Sequence, residues 1–249
     1  MSPTGHASGR WLTAMFVGLL AVACAGTQSR HTDPVNDPWE GFNRKMHSFN
    51  DTMDRAIARP VAKAYQAVTP KPVQRGLSNF FNNLGYPVTF INQVLQGKFR
   101  ESGVSTGRFV VNSTIGLLGF FDPATSMGLP DHDEDFGQTL AKWGYEDSRY
   151  LVLPLFGPST VRDGISLPLN SYLYPPSYVA REDHFYTPYV LDLIQTRAAF
   201  LNQDQTLDES FDPYTLVRDA WLQNRDYKIH DGNPPLTDYE AMLDGEGPD

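Results

Sequence analysis

The chain has 249 residues, of which 41% are hydrophobic and 20% are charged, so it has enough apolar residues for a folded core. It carries 20 Lys and Arg against 29 Asp and Glu, a formal net charge of −9, which excludes a general basic surface for nucleic acid. Its single cysteine excludes a disulfide framework and a Cys-based metal site.

The N-terminus has the pattern of an export signal. Residues 1–10 are polar with one positive charge, and residues 11–23 form an apolar run that is too short to span a bilayer. Cys24 follows directly after Ala-Val-Ala, which resembles a lipobox, although Leu20 stands four places before the cysteine rather than three. We therefore predict a signal peptide over residues 1–23, cleavage between Ala23 and Cys24, and lipid on Cys24. The alternative is a plain secretory signal with an incidental cysteine.

The residues after the cysteine indicate where the chain is held. Ala25, rather than Asp, follows Cys24, and this resembles the signal by which such lipoproteins reach the outer membrane. Residues 24–36 are small and polar and are predicted to form a short tether. Two or three acyl chains are enough for stable anchoring. No later segment offers about 18–20 uninterrupted apolar residues, so we expect an anchored body without a spanning helix.

The first part of the mature chain carries the strongest helical pattern. Asp37-Pro38 is a typical helix start, with Asp as the N-cap and Pro in the first turn. Apolar residues then recur at steps of three and four, which predicts an amphipathic helix: Trp39, Phe42, Met46, Phe49, Met53 and Ile57. Arg59-Pro60 is predicted to end this helix, and a second one is expected to run to Thr69-Pro70.

Two weakly charged segments follow. Residues 72–97 keep helical spacing, with a kink or break expected at Pro87. The face opposite their apolar stripe is polar but uncharged, and it holds Asn79, Asn82, Asn83, Gln93 and Gln96. Residues 109–121 contain no charge at all. Because this stretch is too short to cross a bilayer, we expect a buried helix or a hairpin of helices that dips into one leaflet.

The middle of the chain is predicted to mix short elements with irregular connections. Asp122-Pro123 begins a turn or helix, and residues 136–143 are expected to form a short helix. Residues 150–156 contain a proline and predict one edge strand at most. Residues 157–181 are rich in Pro and Tyr and predict a long irregular segment.

Two helices are predicted to complete the domain, and the fold class is mainly α. Thr187-Pro188 and Asp212-Pro213 are their expected starts, and Tyr214, Val217, Trp221 and Leu222 are expected to face inward from the second. Residues 231–249 contain six acidic and no basic residues, and we expect them to be disordered.

No pattern in the sequence argues for catalysis. Gly103–Gly107 matches G-x-S-x-G, but a nucleophile elbow needs a buried strand before the serine, so a Gly/Ser turn is the preferred interpretation over an esterase. The alternating acids from Asp131 to Asp135 have the spacing of a calcium loop, yet Phe136 and Lys142 stand where Gly and Glu are required. We interpret them as a solvated acidic loop.

The remaining polar residues do not indicate a cofactor. The six histidines form no ligand pair at helical spacing, and no nucleotide-binding motif is present. Arg197 lies at the edge of a predicted apolar stripe. We expect it to form a structural ion pair with a nearby carboxylate, the alternative being contact with a lipid phosphate.

Several stretches, taken together and in order, resemble the MlaA (VacJ) family of outer-membrane lipoproteins. They cover roughly residues 37–230 and are Asp37–Asn50, Arg59–Pro60, Gly76–Asn83, Asn92–Gly97, Arg108–Pro123, Asp135–Leu140, Leu153–Gly164, Thr196–Ala198 and Asp212–Arg225. The resemblance implies a single ring-like domain of amphipathic helices around a channel, lying in the inner leaflet of the outer membrane. Phospholipids misplaced in the outer leaflet would pass through it to a soluble periplasmic carrier, with a trimeric porin as partner.

This resemblance gives the polar and apolar faces candidate roles. The uncharged side chains Asn79, Asn82, Asn83, Gln93 and Gln96 are candidates for lining a lipid path, because a polar path lowers the cost of desolvating a head group. Candidates for burial in lipid are Phe109, Leu117, Leu118, Phe120 and Phe121, and the Gly116/Gly119 region is a candidate gate. Two other hypotheses are a structural porin-associated lipoprotein without transport activity and a lipid hydrolase acting through Ser105.

Overall fold

A computed structural model describes residues 36–176 and 187–235. The predictions for the signal peptide, Ala23, Cys24 and the tether therefore lie outside the described residues, as does most of the acidic tail. Within these ranges the helices are α1 Glu40–Met53, α2 Arg59–Val68, α3 Lys71–Leu95, α4 Phe99–Thr114, α5 Pro123–Ser126, α6 Phe136–Lys142, α7 Val161–Leu173, α8 Thr187–Ala199, α9 Asp204–Glu209 and α10 Pro213–Ile229. Two strands, β1 Tyr150–Leu153 and β2 Gly157–Thr160, complete them, which confirms a mainly α fold.

Capping side chains set several helix starts, of which those at Asp122 and Asp212 were predicted and the cap at Asp135 was not. Asp122, Asp135 and Asp212 each accept a hydrogen bond from the backbone N–H three residues on, at 3.1, 3.0 and 3.3 Å. Asp37 does not follow this prediction. It is fully buried, accepts a hydrogen bond from Asn43 Nδ2 at 2.7 Å, and also accepts one from the Tyr214 hydroxyl. Because this carboxylate bonds Asn43 and Tyr214 instead of a backbone N–H of the first turn, α1 begins at Glu40 without a side-chain cap.

The helix end predicted at Arg59-Pro60 is absent, and the helix that contains Pro87 is not broken there. α1 continues through a π-helical turn, Asp54–Ala58, directly into α2, so Arg59-Pro60 starts a helix rather than ending one. α3 runs unbroken through Pro87 for 25 residues. It packs along α4, and this tertiary contact offsets the local cost of a proline within a helix.

A β-hairpin organises the small apolar core. β1 and β2 are antiparallel, with Tyr150 opposite Thr160 and Leu153 opposite Gly157. Tyr150 and Val152 pack with Tyr214 of α10, and Met46, Trp221 and Leu222 surround them. The inward positions predicted for Tyr214, Trp221 and Leu222 are confirmed. The prediction that residues 157–173 are irregular is wrong, because they form β2 and α7, which Thr160 caps by accepting from the Asp163 N–H at 3.2 Å.

The charge-free stretch is neither a buried helix nor a helical hairpin. α4 continues to Thr114, and a tight turn then carries the chain to Phe121. Leu117 and Leu118 have φ values of 53° and 60°, a left-handed conformation that leucine rarely adopts. Backbone hydrogen bonds from Leu118 to Ser113 and from Gly119 to Asn112, at 3.0 and 2.8 Å, close the turn.

Polarity is inverted relative to an ordinary water-soluble protein. Among the residues that the structure describes, nine hydrophobic side chains are buried, against twenty-one polar or charged ones. Thirty large hydrophobic side chains are exposed in the same ranges. α1 illustrates the pattern, since Trp39, Phe49 and Ile57 of its extended apolar stripe face outward while Glu40 and Asn43 are buried. An apolar exterior of this extent indicates contact with lipid or with another protein.

The helices that the structure describes do not include one with the length and hydropathy to cross a bilayer.

Candidate functional site

A partly open cavity with a volume of about 490 Å³ carries several polar side chains. Three parts of the chain form its walls: α3, the loop between α5 and α6, and the C-terminal end of α7. The main polar groups of the lining are Asn82, Tyr86 and Thr89 from α3, Asp131–Asp135 from the loop, and Asn170, Ser171 and Tyr174 from α7. Hydroxyl, amide and carboxyl groups therefore face a space that also has apolar walls and that is large enough for a polar head group but not for a whole two-tailed lipid.

A small crevice of about 20 Å³ adjoins this cavity and shares Asn82, Tyr86 and Asp131 with it. Beside these three residues, its lining consists of Asn79, Asn83, Arg108, Asn112 and Asp122. The crevice lies where α3 and α4 pack together. This packing places the amide side chains of Asn79, Asn82 and Asn83 beside the buried Arg108.

Arg108 is the centre of this polar cluster. Its guanidinium donates to Tyr86 Oη at 2.5 Å, Asp122 Oδ2 at 3.0 Å and Thr125 Oγ1 at 3.1 Å, and also to the Leu129 carbonyl. Tyr86 in turn donates to Asp131 Oδ1 at 2.7 Å. Burial raises the pKa of the Tyr86 hydroxyl far above its usual value, so this group acts as a neutral donor.

Residues 131–135, the acidic loop, are held in place by Lys and Arg side chains that do not line the cavity. Asp135 pairs with Arg225 at 2.6 Å, Glu134 with Lys98 at 2.8 Å, and Asp133 with Lys228 at 2.5 Å. Burial raises the pKa of Glu134, and its hydrogen bond from Lys98 opposes that shift. The loop therefore presents carboxylates to the cavity from a position that α10 and Lys98 hold in place.

The structure brings together three of the five predicted path residues. Asn82 is exposed and lines both spaces, while Asn79 and Asn83 line only the crevice. Asn79 Nδ2 donates to the Phe120 carbonyl at 3.3 Å and Asn83 Nδ2 to Ser113 Oγ at 2.9 Å, so both also hold the turn after α4.

The two glutamines lie further along α3 and line neither of these two spaces. Gln93 is fully buried, and both of its side-chain polar atoms have no hydrogen-bond partner in the described part of the chain. Gln96 donates to Glu134 Oε2 at 2.8 Å and to Thr139 Oγ1 at 3.1 Å. Gln96 therefore contacts the acidic loop without lining the cavity.

The five predicted lipid-facing residues divide into two groups. Leu117, Leu118 and Phe121 are exposed on the turn. Phe109 and Phe120 are half-buried, and the Phe120 ring lies against Gly76, where an added Cβ would approach it to 2.1 Å. The proposed gate region is tightly packed in this structure, because a Cβ at Gly119 would lie 2.4 Å from Asn83 Cβ.

Arg197 lies in an ion-pair network rather than beside either cavity. It bonds Asp54 of the π-helical turn through Nε at 2.6 Å and Asp204 through Nη2 at 2.7 Å. The Arg197 hydrogen bonds lower the pKa of Asp54, although burial opposes this. The network fixes α8 against the junction of α1 and α2.

The catalytic patterns do not form catalytic sites. Ser105 is fully buried in the interior of α4, whereas a nucleophile elbow requires an exposed serine between a strand and a helix. The acids of residues 131–135 contact cations and hydroxyl groups, and within residues 36–176 and 187–235 no cluster of potential metal ligands is found.

Sequence reasoning missed Arg108, Tyr86 and the acidic loop as parts of the site. Arg108 does carry a signal, because it is the last charge before a long uncharged stretch and it lies on a helix face with small polar residues. The sequence predicts a solvated loop here because the residues that pair with it are far away in the chain. Arg225 of α10 and Asp135 are 90 positions apart, so their pairing leaves no local pattern.

An apolar exterior over buried polar side chains defines a helical protein built for contact with lipid or with another protein. The MlaA lipoprotein family model matches residues 35–228, and the chain belongs to this family. Two similar proteins are named intermembrane phospholipid transport system lipoprotein MlaA. That of Escherichia coli (strain K12) is 37% identical over 235 residues, covering 89% of each chain, and that of Haemophilus influenzae is 33% identical over 226 residues, covering 89% of this chain and 90% of its own.

A solved structure gives the same result at the level of the fold. It comes from work on the structural basis for maintenance of bacterial outer membrane lipid asymmetry, and it matches with a TM-score of 0.68 and 34% sequence identity. The match covers 78% of this chain and 99% of the solved one. The family resemblance predicted from the sequence is therefore confirmed.

Proposed function

We propose that this protein removes misplaced phospholipids from the outer leaflet of the outer membrane and passes them to a periplasmic carrier, without breaking a bond. The observation that carries this proposal is the combination of an apolar exterior with a partly open cavity of about 490 Å³ that presents hydroxyl, amide and carboxyl groups. The names of the relatives, which describe an intermembrane phospholipid transport system, support the same substrate class.

The physical basis is the cost of moving a polar head group through hydrocarbon. An amide or hydroxyl transferred without hydrogen bonds costs roughly 2–7 kcal/mol, and a phosphate costs far more. A path lined by Asn82, Asn170 and Ser171 replaces part of the lost hydration. The acyl chains, which do not fit into the cavity, would stay in contact with the apolar exterior. The protein then lowers the barrier as a ring-like body around a channel.

The proposed location is the inner leaflet of the outer membrane, with lipid on Cys24 as the anchor. This part of the proposal rests on the sequence of residues 11–25 and on the exposed apolar side chains of the body. A porin trimer and a soluble periplasmic carrier are the proposed partners, on the strength of the family resemblance. Co-purification of a porin with the acylated chain from cross-linked membranes tests the first of these.

The decisive experiment measures outer-leaflet phospholipid in cells that have or lack this protein. We expect the outer leaflet of cells without it to gain phospholipid and to lose resistance to detergent. An unchanged outer leaflet would contradict the proposal. Mass spectrometry of the purified protein separates the structural alternative, since a porin-associated lipoprotein without transport activity would carry no bound phospholipid.

A further inference from the structure

The crevice beside Arg108 has the size of a single small polar group. Its volume of about 20 Å³ is slightly more than the 10–15 Å³ that one water-sized probe requires. It lies next to the larger cavity, because Asn82, Tyr86 and Asp131 line both spaces. A group at the end of a head group could therefore enter the crevice while the rest of the lipid remains in the larger space.

The donors around the crevice are already committed. Arg108 uses its guanidinium on Tyr86, Asp122, Thr125 and the Leu129 carbonyl, so it has no N–H directed at a further acceptor. The Tyr86 hydroxyl donates to Asp131. A phosphate would therefore find no free cation among the described residues that line this crevice.

Among the described residues that line the crevice, one buried side-chain atom lacks a hydrogen-bond partner, and this atom is an acceptor. Asn83 is only 2% exposed, its Nδ2 donates to Ser113, and its Oδ1 has no partner in the described part of the chain. This oxygen has almost no accessible surface, so an occupant of the crevice reaches it only when the Asn83 amide turns towards the space. A buried carbonyl oxygen without a donor costs about as much as a lost hydrogen bond, so an occupant that donates favours that turn.

The charge of the crevice points the same way. Its lining contains one cation, Arg108, and two carboxylates, Asp122 and Asp131. Arg108 Nη2 lies 3.0 Å from Asp122 and its Nε lies 3.7 Å from Asp131, so the cluster carries one net negative charge. A small cation with several N–H donors would both neutralise it and supply Asn83 Oδ1 with a partner.

We propose that this crevice binds the primary ammonium group of an ethanolamine-type phospholipid head group. The inference rests on the proposed function and names its substrate class. The lipid phosphate then lies in the larger cavity, near the amide and hydroxyl groups of Asn82, Thr89 and Ser171. Three of the carboxylates that line this cavity are neutralised by cations behind it, since Asp133, Glu134 and Asp135 pair with Lys228, Lys98 and Arg225. A trimethylammonium group has no N–H and exceeds the crevice in size, and a glycerol head group leaves the lipid anionic, so both fit less well.

The test is competitive binding to the full acylated protein. It is incubated with vesicles that contain equal amounts of phosphatidylethanolamine, phosphatidylcholine and phosphatidylglycerol, reisolated, and its bound lipid is quantified by mass spectrometry. We expect phosphatidylethanolamine to exceed each competitor by roughly threefold to tenfold, as one partly solvated charge-assisted contact would give. Equal binding of the three lipids would overturn the ammonium site and leave the proposed function intact. Absence of any bound lipid would instead contradict the proposed function.

A pair of variants in one loop assigns the preference to the crevice. Asp131→Asn removes the uncompensated charge and keeps an acceptor for Tyr86, and it should abolish most of the preference for phosphatidylethanolamine over phosphatidylglycerol. Asp133→Asn is the matched control, because Asp133 lines only the larger cavity and pairs with Lys228. Equal loss in both variants would overturn the assignment.

Free ethanolamine distinguishes a head group from a small amine. We expect ethanolamine at millimolar concentration to leave the bound phospholipid in place, because it lacks the phosphate and the acyl chains. Displacement of the lipid by ethanolamine alone would show a site for soluble amines and would overturn the proposal.

Discussion

Arg225 holds Asp135 through two hydrogen bonds, from Nη1 to Oδ2 at 2.6 Å and from Nη2 to Oδ1 at 2.7 Å. The same Nη2 donates to Asp163 Oδ1 at 2.6 Å, so one guanidinium joins α10, the acidic loop and α7. Gly137 lies directly against this group, and a Cβ there would be 2.1 Å from Asp163 Oδ1 and 2.4 Å from Arg225 Nη2. The ion pairs that hold this wall of the cavity therefore leave room only for glycine at position 137.

Gly137→Ala should destabilise the protein by about 3 kcal/mol, because separating a buried ion pair leaves an uncompensated charge. Gly164→Ala is the matched control. A Cβ at Gly164, inside α7, would make only an ordinary contact of 3.8 Å with Leu153, and Ala should be neutral or stabilising by about 0.5–1 kcal/mol. Chemical unfolding of the two variants in detergent measures both effects, and equal stability would contradict this account.

The Arg225–Asp135 pair should also make stability depend on pH. Burial tends to raise the pKa of Asp135, but the hydrogen bonds and charge of Arg225, together with hydrogen bonds from Gln138, hold that pKa below its usual value. A carboxyl with a lowered folded-state pKa contributes stability above its unfolded pKa of about 4 and loses it as the pH falls through the folded value. In Arg225→Met this contribution is absent.

The free energy of unfolding of wild type and Arg225→Met, measured between pH 7 and pH 3, checks the sign. We expect the deficit of the variant to be largest at neutral pH, about 3–5 kcal/mol, and to shrink below about pH 4. A deficit that stays constant over this range would show that Arg225 acts through packing alone.

Much of the secondary structure was predictable because its signals are local. Asp122, Asp135 and Asp212 start helices through contacts three residues away, and such spacing is visible in the sequence. The role of Asp37 was not predictable, since its partner Tyr214 lies 177 residues further on. Helical periodicity also identifies an apolar face without saying whether that face meets a core or a lipid.

The candidate site could be predicted only in part for the same reason. The uncharged face of α3 led to Asn82, which does line the cavity. It led equally to Gln93, which lies about three turns of helix further on, outside the cavity lining, and is buried. A polar face alone does not show which turns of the helix meet a neighbouring element, and the acidic loop that completes the cavity comes from a distant part of the chain.

Asn82→Leu should block lipid passage while the protein still folds. Asn82 lines both spaces, and leucine has the same branching at Cγ, although it is larger, but cannot hydrogen-bond a head group. We expect the outer leaflet of cells carrying the variant to contain phospholipid at the level of cells without the protein. Asn82→Ser, which keeps a polar group, should retain most of the activity. Full activity of the leucine variant, with a normal circular dichroism spectrum, would remove Asn82 from the path.

The turn after α4 allows the lipid-facing role of its leucines to be separated from any role in folding. Leu117 and Leu118 are 65% and 69% exposed and both have left-handed backbone conformations, which cost leucine roughly 1–2 kcal/mol and asparagine less. In water, Leu117→Asn/Leu118→Asn should therefore keep or increase stability. In a membrane, the double variant loses the transfer free energy of two leucines, about 1.5–3 kcal/mol each.

Vesicle binding of the chain with Cys24→Ala, which removes the proposed anchor, measures this directly. We expect the added double substitution to lower the partition coefficient at least tenfold, while the urea unfolding midpoint does not fall. Thr114→Asn, an exposed polar position just before the turn, should change neither quantity. If the double variant binds vesicles as well as its parent, the turn does not enter the lipid, and the exposed leucines require a protein partner instead.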